Sequence, residues 1–239
     1  SLQPAARRLP DLADPSWPMP IEWLPAAGAP QQLVVLLHGW ASDAQGLRPL
    51  AEALRAQWPQ AAILVPQSPL AADGGRRGFQ WYSIQDLVDD EVWAGRVDGA
   101  VAHLQPWLRA QQQRLGIDPQ ATALGGFSQG GILSLALAHL DDGICGRVLS
   151  FGGCFVRPPR AAPRHSTLHF FHGSADKVIP AQRSRQAIEW LSALQGDATL
   201  DIAEGVGHVL HPSLIDCALH RLTTHIPLRT WRRALGAAS

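Results

Sequence analysis

Cysteine and long apolar runs are both scarce in this chain of 239 residues. The three cysteines are odd in number and form no C-x-x-C pair, which argues against a disulfide framework and against a cysteine-based zinc site. No apolar run is long enough to span a bilayer. The first twenty residues are rich in proline and charge and lack the apolar core of a signal peptide. We therefore expect a cytoplasmic protein.

An excess of charge of one sign is also lacking. The chain carries 20 basic and 20 acidic side chains, and no basic run stands out. Nucleic acids and anionic membrane surfaces attract proteins that carry a positive excess, so we expect neither as a partner. The sequence contains no Walker loop, no G-x-G-x-x-G and no H-E-x-x-H, so we expect no metal and no other cofactor. The expected partner is therefore a small-molecule substrate. We expect the protein to be a monomer or a homodimer.

The length and the high hydrophobic content of the chain favour one α/β domain with a substantial core. Hydrophobic residues make up 46% of the chain and charged residues 17%. Strand-like and helix-like patterns alternate, which predicts a mainly parallel central sheet with helices on both faces. We place this single domain at residues 26–239, behind an N-terminal extension of residues 1–25 that we expect to be poorly ordered.

The individual elements follow from the apolar patterns and from the breakers between them. One helix is expected to begin at about residue 132, after the strand at 121–124. Residues 66–81 are expected to form a long loop. The helix at 86–115 is expected to kink near Pro106. Strands are predicted at 31–37, 61–65, 121–124, 147–151, 167–171 and 199–203, and the other helices at 46–58, 181–194 and 212–225.

The most informative segment is Gly126-Phe127-Ser128-Gln129-Gly130, between a short apolar stretch and a longer apolar run. It fits the G-x-S-x-G nucleophile elbow, in which a strand turns sharply into a helix and exposes the serine at the tip. The Gln129 backbone N–H would then lie at a helix N-terminus, where it can stabilise an oxyanion. An ordinary glycine-rich turn can share the pattern, so the prediction of a serine hydrolase depends on the partners of Ser128.

Those partners are an acid and a histidine, which follow the serine in that order in proteins with this elbow. Asp176 lies just past the strand at 167–171, and His208 lies in a glycine-containing loop after the strand at 199–203. Both positions suit loops at the carboxyl edge of the sheet. We therefore predict a catalytic triad of Ser128, Asp176 and His208. The alternative acids are Asp197 and Asp201, which flank a predicted strand or lie inside one. The alternative base is His211, which lies at the start of a predicted helix.

A second oxyanion donor is expected from the loop after an early strand. The segment from Leu36 to Trp40 forms that loop, and we assign the donor to the backbone N–H of Trp40; His38 is expected to be structural. Trp40, Trp81 and Tyr82 are expected to line an apolar substrate pocket. A bulky Trp40 would restrict long or branched acyl groups, which favours short- to medium-chain esters.

With these residues in place, the chain resembles the bacterial carboxylesterases of the phospholipase/carboxylesterase family, whose eukaryotic relatives include acyl-protein thioesterases. The resemblance runs from about residue 31 to the C-terminal region. It implies an α/β-hydrolase fold and the hydrolysis of carboxylic esters through an acyl-enzyme on Ser128. The blocks that carry it are Leu36-Leu37-His38-Gly39, Gly126-Phe127-Ser128-Gln129-Gly130-Gly131, His172-Gly173 with Asp176-Lys177-Val178-Ile179-Pro180, and Gly207-His208.

The chain departs from this family at two positions near the expected pocket. Trp40-Ala41-Ser42 stands where many relatives have a small glycine-containing loop, and Ser83 stands where many have aspartate. A thioesterase or a lysophospholipase would use the same triad, and an acyltransferase would use the same acyl-enzyme. A non-catalytic binding protein on this fold is the remaining alternative. It has no need for the full set of three residues.

Overall fold

A seven-stranded sheet forms the centre of the protein in the computed structural model, which describes residues 17–236. Its strands and those of a separate hairpin are β1 (Ile21–Trp23), β2 (Gln32–Leu37), β3 (Ala61–Val65), β4 (Leu70–Ala71), β5 (Phe79–Gln80), β6 (Thr122–Phe127), β7 (Arg147–Phe151), β8 (Thr167–Gly173) and β9 (Ala198–Ala203). The α-helices are α1 (Arg48–Gln57), α2 (Asp90–Leu115), α3 (Gln129–Leu140), α4 (Gln182–Ala193), α5 (Pro212–Thr224) and α6 (Leu228–Ala234).

The strand order of the large sheet is β1-β3-β2-β6-β7-β8-β9, and every pair is parallel except β1 with β3. This confirms the predicted α/β fold with a mainly parallel sheet. The central strands are mostly buried along their length because both of their faces are covered. The carboxyl ends of parallel strands meet at one edge of the sheet. The loops after β2, β6, β7, β8 and β9 therefore converge there.

Two hydrophobic cores lie on opposite faces of the sheet, as β2 shows. Leu33, Val35 and Leu37 belong to the core beneath α2, α3 and α4. Val34 and Leu36 belong to the core beneath α1 and α5. Successive side chains of a strand point to opposite faces, so a single apolar strand serves both cores.

The N-terminal extension is only partly covered by the structure. Residues 1–16 of the expected extension lie outside the described residues, whereas Ile21–Trp23 form the edge strand β1 and pair with Val65, Leu64 and Ile63 of β3. The sheet thus begins ahead of the boundary that we expected at residue 26. A three-residue strand has too little alternation for the sequence to reveal it.

Helix α2 begins at Asp90, four residues later than predicted. The side chain of Asp89 caps it by accepting a hydrogen bond from the backbone N–H of Val92 at 2.8 Å. Asp86 has a φ of 54°, outside the helical region, so the helix cannot extend back to it. From Asp90 the helix continues through Pro106 to Leu115.

The segment predicted as a long loop after β3 contains the small hairpin of β4 and β5. Leu70 pairs with Gln80 and Ala71 pairs with Phe79 in antiparallel register. Phe79 also forms a bridge to Ser42, in the loop that follows β2. The hairpin is thereby tied to the edge of the sheet where the loops converge.

Candidate active site

Ser128 occupies a sharp turn between β6 and α3. Its φ of 58° and ψ of −115° are unusual for a residue with a side chain, and such strain is often held at functional positions. The turn is possible because Gly126 and Gly130 approach the backbone of β2; a Cβ atom at either position would overlap the carbonyl oxygen of Leu37. The Ser128 N–H donates to the Phe151 carbonyl at 2.9 Å, which fixes the turn to the end of β7.

Ser128, His208 and Asp176 form a continuous set of hydrogen bonds. Nε2 of His208 lies 2.9 Å from Oγ of Ser128, and Nδ1 of His208 lies 2.6 Å from Oδ2 of Asp176. A carboxylate only accepts hydrogen bonds, so the imidazole proton belongs on Nδ1 and Nε2 accepts from the serine hydroxyl. The structure thus brings together the three predicted residues in the arrangement that activates a serine.

Asp176 is held in place by the loop that follows β8. Its Oδ1 accepts hydrogen bonds from the backbone N–H groups of Val178 and Ile179, both at 2.9 Å. The Asp176 side chain is 1% exposed, whereas that of His208 is 17% exposed. Asp176 is therefore buried and bonded to its own loop, and His208 is the more exposed of the two residues.

His172 is a further residue of this region, and no motif in the sequence assigns a role to it. Its ring lies beside Asp176, with Nε2 at 3.4 Å from Oδ2. Nε2 donates to the Ile179 carbonyl at 2.6 Å, so Nδ1 carries no proton and accepts from Oγ of Ser184 at 2.7 Å. Burial lowers the pKa of His172, so the ring is neutral and its contact with Asp176 is not an ion pair.

His208 is positioned by close packing around its ring. The Phe127 ring lies 4.8 Å from it, measured between centroids. Gly152, in the loop after β7, is near enough that a Cβ atom there would lie 3.5 Å from both Cε1 of His208 and Oδ2 of Asp176. The ends of β6, β7, β8 and β9 therefore all contribute to the site.

The predicted oxyanion donors lie next to Ser128. A Cβ atom on Gly39 would be 3.3 Å from Cβ of Ser128, which brings the segment containing Trp40 against the elbow. Gln129 is the first residue of α3, where a backbone N–H has no partner within the helix. Among the hydrogen bonds of residues 17–236, none uses the backbone N–H of Trp40 or Gln129 as a donor. Both groups are available to an oxyanion.

The side chain of Gln129 has a structural task. Its Oε1 accepts from the backbone N–H of Trp81 at 2.9 Å, and its Nε2 donates to the Tyr82 carbonyl at 3.0 Å. The Gln129 residue is buried. This pair of bonds joins the start of α3 to the segment that follows the small hairpin.

Trp81 and Tyr82, which we expected to line the substrate pocket, are buried in the core instead. They are 1% and 4% exposed. The Trp81 indole donates to the His38 carbonyl at 2.9 Å and stacks on the His38 ring, while the Tyr82 hydroxyl accepts from the Trp93 indole at 3.0 Å. Because their polar atoms have partners inside the protein, these two rings pack beneath the site and are not part of its exposed surface. Of the three predicted pocket residues, only Trp40 is partly exposed.

His38 is fully buried beside the predicted oxyanion loop. Its Nδ1 donates to the Gly39 carbonyl at 2.8 Å, and its Nε2 accepts from the Ser68 backbone N–H at 3.1 Å. Burial lowers its pKa to about 4 and outweighs the opposing effect of the hydrogen bond to Gly39. A neutral, doubly bonded imidazole at this position fixes the backbone that leads to Trp40.

A cavity of about 620 Å³ lies apart from the three candidate catalytic residues. It is bounded by α2, α3 and residues 154–160, and none of Ser128, Asp176 and His208 lines it. In residues 17–236 no group of three or more His, Cys, Asp or Glu side chains is placed to hold a metal ion. Over the same range no helix combines the length and apolar character needed to cross a bilayer.

The parallel sheet with a serine at a strained turn after a central strand defines an enzyme of the α/β-hydrolase class, of the serine hydrolase type. A comparison with protein families matches residues 24–226 to the Phospholipase/Carboxylesterase family. The chain therefore belongs to the phospholipase/carboxylesterase family. Esterase and thioesterase activities are those of this family.

Individual relatives agree with this assignment. Esterase YpfH of Escherichia coli (strain K12) is 33% identical over 205 residues, which cover 86% of this chain and 88% of that protein. Acyl-protein thioesterase 1 of Gibberella zeae is 27% identical over 195 residues, which cover 75% and 81%. Among solved structures, esterase PE8 superposes with a TM-score of 0.79 at 28% identity and covers 87% of this chain and 99% of its own.

Proposed function

We propose that this chain is a serine carboxylesterase that hydrolyses short- to medium-chain carboxylic esters through an acyl-enzyme on Ser128. The observation that carries the proposal is the unbroken path of hydrogen bonds from Ser128 through His208 to Asp176. A serine hydroxyl is a weak nucleophile unless a base accepts its proton. Nε2 of His208, 2.9 Å from the hydroxyl oxygen, is placed to be that base.

In the acylation step, Ser128 Oγ attacks the ester carbonyl carbon while its proton passes to Nε2 of His208. The carbonyl oxygen becomes an oxyanion, which the N–H groups of Trp40 and Gln129 stabilise. The imidazolium is stabilised by the buried Asp176 carboxylate on its Nδ1 side. His208 then donates the proton to the leaving alkoxide, so the alcohol departs and the acyl group stays on Ser128.

In the deacylation step, water takes the place of the alcohol. His208 accepts a proton from the water as its oxygen attacks the acyl carbon, and the same two N–H groups hold the second oxyanion. Breaking the bond to Oγ returns the proton from His208 to Ser128 and releases the carboxylic acid. The enzyme regains its starting state without any cofactor in the cycle.

The preference for short and medium acyl groups comes from Trp40. Its indole is partly exposed at the predicted oxyanion loop and is held in place by a hydrogen bond from Nε1 to Oε1 of Gln80 at 3.0 Å. A fixed, bulky ring beside the reacting carbonyl limits the space for a long or branched acyl group. We expect Trp40→Ala to raise the relative activity on longer chains.

The experiment for this proposal is a series of p-nitrophenyl esters from acetate to palmitate, presented below their aggregation limits. We expect kcat/KM to peak among short and medium chains and to fall for palmitate. Ser128→Ala, which we expect to preserve the fold, is the background control. A kcat/KM for palmitate equal to or above that for butyrate would overturn the assigned chain length.

A thioesterase is the second candidate, and one comparison favours it directly. Acyl-protein thioesterase 1 is among the relatives, and the same triad serves both reactions. A pair of substrates with one acyl group, butyryl as an oxygen ester and as a thioester, separates the two. We expect the higher kcat/KM on the oxygen ester; a preference of tenfold or more for the thioester, about 1.4 kcal/mol in the barrier, would reverse the assignment.

A further inference from the structure

The small hairpin and the residues after it pack directly on the predicted oxyanion loop. Residues 70–84, named here the support segment, contain β4, β5 and the turn between them. The Phe79 N–H donates to the Ser42 carbonyl at 2.8 Å. Gly78 lies so close to Ala41 that a Cβ atom at residue 78 would overlap the Ala41 carbonyl group. Ala41 itself has a φ of 57°, so the backbone just after Trp40 is held in a strained form by this packing.

The Trp40 side chain is fixed by the same segment. Its indole Nε1–H donates to Oε1 of Gln80 at 3.0 Å, and Gln80 is fully buried. The Arg76 guanidinium lies over the Trp40 ring, 5.4 Å from its centroid, in a cation–π contact. A hydrogen bond and a cation–π contact thus restrain the Trp40 ring. The backbone N–H of the same residue is the predicted oxyanion donor.

Asp73 sets the direction in which the Gln80 amide points. Nε2 of Gln80 donates to Oδ1 of Asp73 at 3.0 Å, and Oε1 of Gln80 accepts from the Asp73 backbone N–H at 3.0 Å. A carboxylate accepts only, so the NH₂ end of the amide must face Asp73 and the oxygen must face Trp40. Without that acceptor the NH₂ end of the amide loses its partner, and only the two donors to Oε1, the Asp73 backbone N–H and the Trp40 indole, still hold its orientation.

Asp73 also joins the two ends of the support segment. Its Oδ2 accepts from Oγ of Ser83 at 2.8 Å and from the Ile84 backbone N–H at 2.9 Å. Partial burial by itself raises the pKa of Asp73, but the hydrogen bonds from Gln80, Ser83 and the backbone outweigh burial and leave the pKa below its ordinary value. The group is therefore an ionised acceptor at neutral pH.

We propose that Asp73 is a positioning residue, which acts through Gln80 on the Trp40 indole and so keeps the Trp40 backbone N–H in the oxyanion hole. This inference rests on the proposed function, because it assumes that this N–H stabilises the reaction's oxyanion. It also assigns residues 70–84 as a fixed support of the site. A lid that opens for each substrate would have to break the bonds of Asp73 and Gln80.

The first test is Asp73→Asn, assayed with p-nitrophenyl butyrate. The variant keeps the size of the side chain but has a single acceptor oxygen. When that oxygen bonds the Ile84 N–H and the Ser83 hydroxyl, the NH₂ group faces Gln80 and the acceptor that orients its amide is lost. We expect kcat to fall about 10- to 100-fold while KM stays within about twofold. The displaced N–H no longer stabilises the oxyanion, which forms in the transition state and is absent from the bound ester. Asp118→Asn is the matched control. Asp118 caps a turn at the opposite end of β6 by accepting from the Gln120 N–H, and its variant should retain full kcat.

A second variant shows whether Asp73 and Trp40 act along one path. Trp40→Phe deletes the indole N–H and leaves Asp73 and Gln80 bonded to each other, so we expect it to lower kcat by a similar factor. The double variant should lose little more than either single variant, because both changes break one link. Full kcat in Asp73→Asn, or losses that multiply in the double variant, would overturn the proposal. If Asp73→Asn does not fold, Trp40→Phe is the deciding variant. An unchanged kcat in Trp40→Phe would refute the proposed role of the bond between Gln80 and the Trp40 indole.

The unaltered enzyme separates this inference from the function on which it rests. If it neither hydrolyses the butyrate ester nor reacts with a fluorophosphonate at Ser128, the proposed function fails and Asp73 is not at issue. If it does both and Asp73→Asn is equally active, only the positioning role fails. Thermal unfolding of each variant, compared with that of Asp118→Asn, shows whether a lower kcat reflects a loss of fold.

Discussion

Nδ1 of His208 lies 2.6 Å from Oδ2 of Asp176, although 32 residues separate the two in sequence. They meet because β8 and β9 are adjacent parallel strands whose following loops emerge at the same edge of the sheet. The other carboxylate oxygen of Asp176 is engaged by the backbone N–H groups of Val178 and Ile179. One side of the carboxylate thus holds the loop, and the other fixes the imidazole tautomer.

The first prediction concerns Asp176→Asn. The asparagine oxygen can still accept from Val178 and Ile179, so the fold should be retained, but its NH₂ group would face Nδ1 of His208 and favour the wrong tautomer. We expect kcat to fall by about 10⁴-fold, the size seen for the same change in the chymotrypsin-type triad. Steady-state kinetics measures this, and a variant that keeps more than a tenth of the activity would show that Asp176 is not the orienting acid. Asp89→Asn, at the cap of α2, is the control.

The second prediction concerns the close approach of α3 to β2. Gly130→Ala would place a methyl group on the Leu37 carbonyl oxygen, so we expect a loss of about 2–3 kcal/mol in unfolding free energy together with lost activity. Gly95→Ala, inside α2, meets no atom within 4 Å and should gain about 0.5–1 kcal/mol from helix propensity. Denaturant unfolding of both variants checks the pair. Equal stabilities would contradict the packing described for the elbow.

The third prediction concerns the hydrogen bond between His172 and Ser184. Ser184→Ala leaves the buried Nδ1 of His172 without a donor, so we expect the free energy of unfolding to fall by about 1–3 kcal/mol. Ser192→Ala is the matched control, because Ser192 is exposed on the same helix α4 and gains the same helix propensity. The difference between the two variants isolates the bond. A difference near zero would mean that His172 is not held by Ser184.

The fourth prediction concerns stability at acidic pH. Burial lowers the pKa of His38 from 6.5 to about 4, and burial, aided by the Arg147 charge, lowers that of His169 to about 2. As pH falls below 6.5 the unfolded chain binds protons that the folded chain does not, so the stability present above pH 6.5 is lost progressively down to the folded pKa. Between pH 7 and pH 5 each group should cost about 2 kcal/mol.

The measurement for this prediction is urea unfolding at a series of pH values. The free energy of unfolding should fall from pH 7 to pH 5, and His169→Gln should fall by about 2 kcal/mol less over that interval. The comparison uses the slope with pH, so an overall loss of stability in the variant does not obscure it. A parent protein with constant stability from pH 7 to pH 5 would contradict the neutral, buried state of these histidines.

The sequence predicted the strands well, and it selected three residues that the structure brings within hydrogen-bond distance of one another, because strong local signals mark them. Apolar runs between breakers revealed the buried parallel strands, and the fixed order of serine, acid and base selected Asp176 and His208. Helix α2 was placed four residues too early. The cap formed by Asp89 and the φ of Asp86 decide its start, and neither is visible in the apolar pattern.

What the sequence could not show depends on contacts between distant segments. Trp81 and Tyr82 were expected at the pocket because their loop was expected near Ser128, but both side chains are buried and their polar atoms find partners in His38 and Trp93. The two-residue strands β4 and β5 are too short for any periodicity. Asp73 lies in a glycine-rich stretch that resembles a simple turn, and its bonds to Gln80 and Ser83 follow only from the folded chain.

The measurement that tests the central claim most directly is covalent labelling with a fluorophosphonate, followed by intact-mass analysis and peptide mapping. A fluorophosphonate reacts with serines that an adjacent base has activated. We predict a single adduct, on Ser128, that is lost in Ser128→Ala and strongly reduced in His208→Ala. A folded protein that gives no adduct, or one labelled elsewhere, would contradict the assignment of Ser128 as a nucleophile activated by His208.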